Sequence, residues 1–195
     1  MTTLKFHPTT LLILLLPGLG ILSLWEIGIL WIAAALHEAG HMVAYRICGS
    51  GFESIHILPF GLCALPKDPQ KVSPNSEIFC AAAGPTVNLL ICAVLLALPI
   101  GPSKTVLYLL YCNGALFTIN ILPILPLDGG RLLYFSLTKR FDLQLCETIC
   151  RRSAWILLCL MLYPLCISLF GDKNPSIAMI WGYLALHNLL RRGSI

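Results

Sequence analysis

Charge is what this chain has least of. Only 11% of its 195 residues are charged, with nine Asp and Glu against thirteen Lys and Arg. A soluble domain carries about 25% charged residues, so too few are present to cover a water-facing surface, and a soluble globular protein is excluded. The basic residues form no patch interleaved with aromatics, which excludes a nucleic-acid binder. A Cys-x-x-Cys pair is also missing. Of the nine cysteines, Cys80, Cys92, Cys112, Cys159 and Cys166 lie within apolar runs. They read as small, buried, reduced side chains and not as a disulfide framework. Cys146 and Cys150 stand one helical turn apart with no His or second Cys pair beside them. The longest polar stretches, Gly49–Asn75 and Gly129–Ser153, are too short to form a soluble domain.

Apolar sequence is what the chain has in excess: 57% of residues are hydrophobic and the mean hydropathy is +0.83. Six spans of about 17–25 residues, the length that crosses a bilayer, can be cut from it. They are Pro8–Leu24, Ile27–Tyr45, Ser76–Ile100, Thr105–Pro123, Ser153–Phe170 and Pro175–Leu190. The first contains Pro17, Gly18 and Gly20 and follows Lys5, so a signal peptide competes with a span there. No small-x-small cleavage pattern precedes Glu26, which favours the span. With both termini cytoplasmic, eleven of the thirteen Lys and Arg fall inside, and only Lys104 and Lys173 fall outside. That division follows the positive-inside rule. The expected fold is an all-α polytopic membrane protein, one domain over residues 1–195, located in the cell membrane.

Between the second and third spans, Gly49–Asp68 does not fit this pattern. Ile55, Ile57, Pro59, Phe60, Gly61 and Leu62 are too apolar for a free loop and too few for a span. A re-entrant β-hairpin packed on the bundle would satisfy its backbone at membrane depth; a loop lying on the surface is the alternative.

The second span contains His37-Glu38-Ala39-Gly40-His41. On a helix, positions i and i+4 lie one turn apart on one face, so the two imidazoles stack. Two neutral imidazoles at that spacing suit zinc, and the intervening Glu38 can act as general base on an activated water. Ionisable groups are costly in hydrocarbon, and three together mark a functional site. A catalytic zinc takes a third protein ligand. The candidates are Asp68, Asp128, Asp142, Glu147 and His187. Asp128 fits best. It follows an apolar stretch broken by Pro123 and Pro126, where the backbone can bend, and precedes Gly129-Gly130, where another helix can approach closely. Its alternative role is helix N-cap. A carboxylate ligand also balances charge: Zn²⁺ with two neutral His, one Asp and one hydroxide is neutral, the state a low-dielectric medium favours.

Three segments resemble the site-2 protease family of intramembrane zinc metalloproteases (peptidase family M50), and among its members the stage IV sporulation FB type. His37–His41 is similar to the family's first zinc motif. Asn120-Ile121-Leu122-Pro123-Ile124-Leu125-Pro126-Leu127-Asp128-Gly129-Gly130-Arg131 is similar to its second. Ala83-Gly84-Pro85-Thr86-Val87-Asn88 resembles the Gly-Pro-x-x-Asn stretch between them, and Ile57–Gly61 resembles the family's re-entrant sheet. The resemblance implies a six-helix core and hydrolysis of peptide bonds in or near the membrane. It implies one Zn²⁺ held by His37, His41 and Asp128, with Glu38 activating the water and Asn120 and Pro126 along the substrate path. The implied substrates are membrane-tethered or membrane-associated regulatory proteins, a sigma-factor precursor among them, and the implied partners include inhibitory membrane proteins. A PDZ domain and a CBS domain, carried by many members, are not expected here.

Three other readings compete. A membrane metalloprotease of prenylated C-termini would place its third ligand on a distant Glu. A zinc transporter would need polar residues along several spans. An inactive scaffold of the same fold would have no need of Glu38.

Overall fold

The computed structural model describes residues 3–6, 23–50, 52–58, 61–66, 72–99, 101, 103–170 and 176–190. The chain divides into two compact units, Met1–Asn120 and Ile121–Ile195.

Among the described residues, the first unit holds three helices and a small sheet. Helix α1, Leu24–Ile47, starts at a capping box: the Ser23 hydroxyl accepts from Glu26 N at 3.3 Å, and the Glu26 carboxylate accepts from Ser23 N at 2.7 Å. Two backbone donors that the first turn would leave unpaired are thereby satisfied. Helix α2, Pro74–Ala97, opens on Ser73 as cap with Pro74 in its first turn, where the missing N–H is no loss. Helix α3 is Lys104–Asn120. The three pack on one another. Ile29, Ala33 and Cys112 form one buried cluster, and Ala44, Tyr45 and Cys80 another. The cysteines at these contacts are free thiols, as their apolar settings in the sequence imply.

The sheet has the order β1-β2-β3, with β1 Thr3–Phe6, β2 Phe52–Leu58 and β3 Gly61–Pro66. Strands β2 and β3 pair antiparallel, Ile57 opposite Leu62 and Leu58 opposite Gly61, with an irregularity between Phe52 and Ser54. Pro59 and Phe60, between the strands, lie outside the described residues. Strand β1 pairs parallel to β2. The sequence reading did not anticipate it, because four residues ahead of an apolar run show no period of their own. Strand β3 packs against α1.

The second unit holds α4 Asp128–Leu137, α5 Leu143–Leu160, α6 Leu162–Phe170 and α7 Ser176–Leu190. Ile124, Ala154, Leu158 and Leu184 form its main core, sealed by Trp181, whose indole N–H donates to Leu158 O at 2.9 Å. Buried Asn188 donates to Leu125 O and Leu184 O at 3.0 and 2.8 Å.

Helix α5 begins at Leu143, well before the expected fifth span at Ser153. The Asp142 carboxylate caps it, accepting from Leu145 N at 3.2 Å, and Cys146 and Cys150 are buried on its inner face. Asp142 therefore serves as the cap of this helix. The stretch Gly129–Ser153, read as polar, holds α4 and the start of α5. The first turns of α5 carry Glu147, Arg151 and Arg152, charges that set the start of the expected span at Ser153 instead of Leu143.

Among the described residues, three helices are long and apolar enough to cross a membrane, Leu24–Ile47, Pro74–Ala97 and Leu143–Ile167, and Ile177–Leu190 is a shorter apolar helix. Leu36, Val43, Leu90, Val94 and Ile156 stand exposed on these helices, as lipid-facing residues would. The expected first span, Pro8–Leu24, lies outside the described residues apart from its last two.

Candidate metal centre

His37 and His41 project from one face of α1 and both are 5% exposed. Their rings meet edge to face, centroids 4.8 Å apart, with the two Nε2 atoms separated by 3.1 Å. Each ring is held from behind. His37 Nδ1 bonds Asn88 Oδ1 on α2, and His41 Nδ1 bonds the backbone carbonyl of Cys80, also on α2, at 2.7 Å. Both partners are acceptors, so each Nδ1 carries its proton and each Nε2 presents a lone pair. Two lone pairs facing each other at 3.1 Å repel unless an electron-poor centre lies against both. A tetrahedral zinc with nitrogens about 2.0–2.1 Å away would hold them about 3.3 Å apart. The pair thus fits a metal in donor type, tautomer and separation. Histidine ligands are characteristically anchored in this way, through the second ring nitrogen.

Asn88 is itself held. Its Nδ2 donates to Asn113 Oδ1 on α3 at 2.9 Å, and Asn113 Nδ2 donates to Leu109 O at 2.9 Å. Asn88 is 0% and Asn113 1% exposed. Neither had been given a role from the sequence. The available clue was a lone amide inside an apolar run, where an unpaired polar group would be costly.

Two glycines bring α1 and α2 together. A Cβ on Gly40 would come within 2.8 Å of Val87 Cγ2, and one on Gly84 would strike His41 Nε2 and lie 2.7 Å from His37 Nε2. Any side chain at 84 would push into the space the imidazoles face. Glu38, between the two histidines, is half-buried. Asn120 is the last residue of α3 and is half-buried.

In the second unit, Asp128 is the first residue of α4 and 7% exposed. The cap position falls on Leu127, which makes no side-chain cap bond, so Asp128 is not the N-cap. Its Oδ1 lies 3.9 Å from Arg131 Nη1. A Cβ at Gly129 would collide with Ile121 O and Leu122 O, and one at Gly130 with the Ile124–Leu125 backbone. The two glycines are required because the preceding loop folds back onto α4. Pro126, exposed in that loop, follows a cis peptide bond. His37 and His41 in the first unit and Asp128 in the second are each buried, and each carries a ligand atom of a type that suits zinc. Of the other candidates, Glu147 lies on α5 and His187 on α7, and Asp68 is outside the described residues.

The model of Peptidase family M50 matches residues 25–102. The chain is 31% identical over 119 residues to zinc metalloprotease MJ0392 of Methanocaldococcus jannaschii, a match covering 58% of this chain and 34% of that protein. It is 34% identical over 121 residues to sll0528 of Synechocystis sp., covering 58% of this chain and 31% of that protein. The chain thus spans about a third of the length of these relatives. Among solved structures, the site-2 protease from Methanocaldococcus jannaschii superposes with a TM-score of 0.70 at 24% identity, covering 98% of this chain and 92% of that one. The fold is that of a site-2 protease.

Proposed function

We propose that this chain is a zinc endopeptidase that cleaves peptide bonds within or near the membrane. The observation that carries the reading is the convergence of two Nε2 lone pairs at 3.1 Å, each fixed by an acceptor on the opposite ring nitrogen. His37 and His41 hold the metal and Asp128 supplies the third, anionic ligand. When bound, zinc lowers the pKa of a water toward neutrality and polarises a carbonyl. Glu38 takes the proton from the attacking water and returns it to the leaving amine. Asn120 donates to the oxygen that becomes negative as the carbonyl is attacked. The substrate enters extended, since a helical peptide bond is shielded. Sheet order leaves β3 with one unpaired edge among the described strands, and an extended segment could add there by strand pairing, with Pro126 along its path.

The substrate class is a membrane-tethered or membrane-associated regulatory protein, reached from a multi-pass position in the cell membrane with both termini cytoplasmic and the hairpin re-entrant. A sigma-factor precursor of the sporulation type is the specific substrate to try first, and inhibitory membrane proteins are the partners to seek. The experiment is zinc per chain in detergent-purified wild type, His37→Ala and Asp128→Ala. About one zinc in the wild type, absent from both variants, is expected for the one-metal site. A folded wild type that takes up no zinc under metal-replete conditions overturns the reading in favour of an inactive scaffold.

A further inference from the structure

We propose that Asn113, two hydrogen bonds removed from the His37 ring, is the positioning residue that fixes the tautomer of His37. The inference rests on the metal-binding reading above.

The direction of the amide chain is set at its far end. Leu109 O is a backbone carbonyl and can only accept, so the group of Asn113 that meets it at 2.9 Å must be the NH₂. That turns Asn113 Oδ1 toward Asn88, whose NH₂ donates to it at 2.9 Å. Asn88 must then present its Oδ1 to His37. An acceptor at that point holds the imidazole proton on Nδ1 and leaves the Nε2 lone pair beside His41. Reversing any one amide places two donors or two acceptors face to face at a neighbouring junction. Burial at 0% and 1% exposure keeps water from repairing such a mismatch. The lock therefore runs from α3 through α2 to α1. Removing the Asn113 acceptor frees Asn88 to turn its NH₂ toward His37 Nδ1. The proton then moves to Nε2, the atom that must bind metal.

Two variants separate this role from a packing role. Asn113→Leu keeps the volume and deletes the relay. Asn113→Asp is isosteric, and a carboxylic acid in so dry a position stays protonated. Its O–H donates to Leu109 O and its carbonyl accepts from Asn88, so the order of donors is preserved. Zinc affinity, measured by competition against a chromophoric chelator in detergent, should fall about 10–100-fold in Asn113→Leu and stay near wild type in Asn113→Asp. Equal affinity in wild type and Asn113→Leu, or equal loss in both variants, overturns the proposal.

A second measurement needs no variant to fold. Nitrogen-15 NMR of the metal-free wild type, labelled at histidine and assigned to His37, should report the proton on Nδ1; a proton on Nε2 overturns the proposal. Absence of zinc from the wild type would defeat the proposed function, and the NMR result would still decide the tautomer of His37 on which the proposal depends.

Discussion

Glu38 and Gly84 have the sharpest consequences at the scale of single residues. Glu38→Gln removes the base and no ligand, so cleavage of a membrane substrate should drop by at least about 10²-fold while zinc content stays at the wild-type level. Retained cleavage would assign the proton transfer elsewhere. Gly84→Ala sets a methyl group against both Nε2 atoms. Overpacking of this kind costs about 1–3 kcal/mol, and here the displaced groups are the ligands, so zinc binding should be lost before the fold is. Metal content and thermal melting of one preparation test this. At this scale, the facing of His37 and His41 was readable because it follows from their spacing. Asn88 appeared within a recognisable stretch but without a role, and Asn113 stood alone in its run. Their roles follow from contacts between residues 51 and 25 positions apart, which no local pattern encodes.

Helices followed the apolar runs closely at the level of elements. The capping signals Ser23 with Glu26 and Ser73 with Pro74 lie where α1 and α2 begin. The chief misreading was α5, whose first ten residues have one buried face and one charged face. Its start depends on a cap, so Asp142→Ala should lower thermal stability by about 1 kcal/mol without changing zinc content. An equal loss of zinc would return Asp142 to the list of ligands. The paired glycines opening α4 are a stricter case. What presses on them is the backbone of residues 121–125, which cannot rotate out of the way as a side chain can. The sequence correctly marked the pair as a site of close approach, but the approaching element is the preceding loop and not another helix.

The division at Asn120 and Ile121 could not be read in advance at the scale of the whole molecule, because the apolar stretch from Thr105 continues through it to Leu127. Hydropathy and charge bias predict topology instead. Lys104→Cys and Lys139→Cys, each introduced singly after replacement of the native cysteines, should react with membrane-impermeant reagent from opposite sides, 104 from outside and 139 from the cytoplasm. Labelling of both from one side would refute the six-span arrangement. The anchoring of the two imidazoles has one further consequence, in terms of heredity. His41 is steadied by the main chain at Cys80, and a main-chain carbonyl is supplied by every amino acid the genetic code can put there. His37 is steadied by two asparagine side chains, each of which a single nucleotide change can erase. The two halves of the pair are thus unequally exposed to mutation, and a lineage drifting toward loss of activity would lose the hold on His37 first.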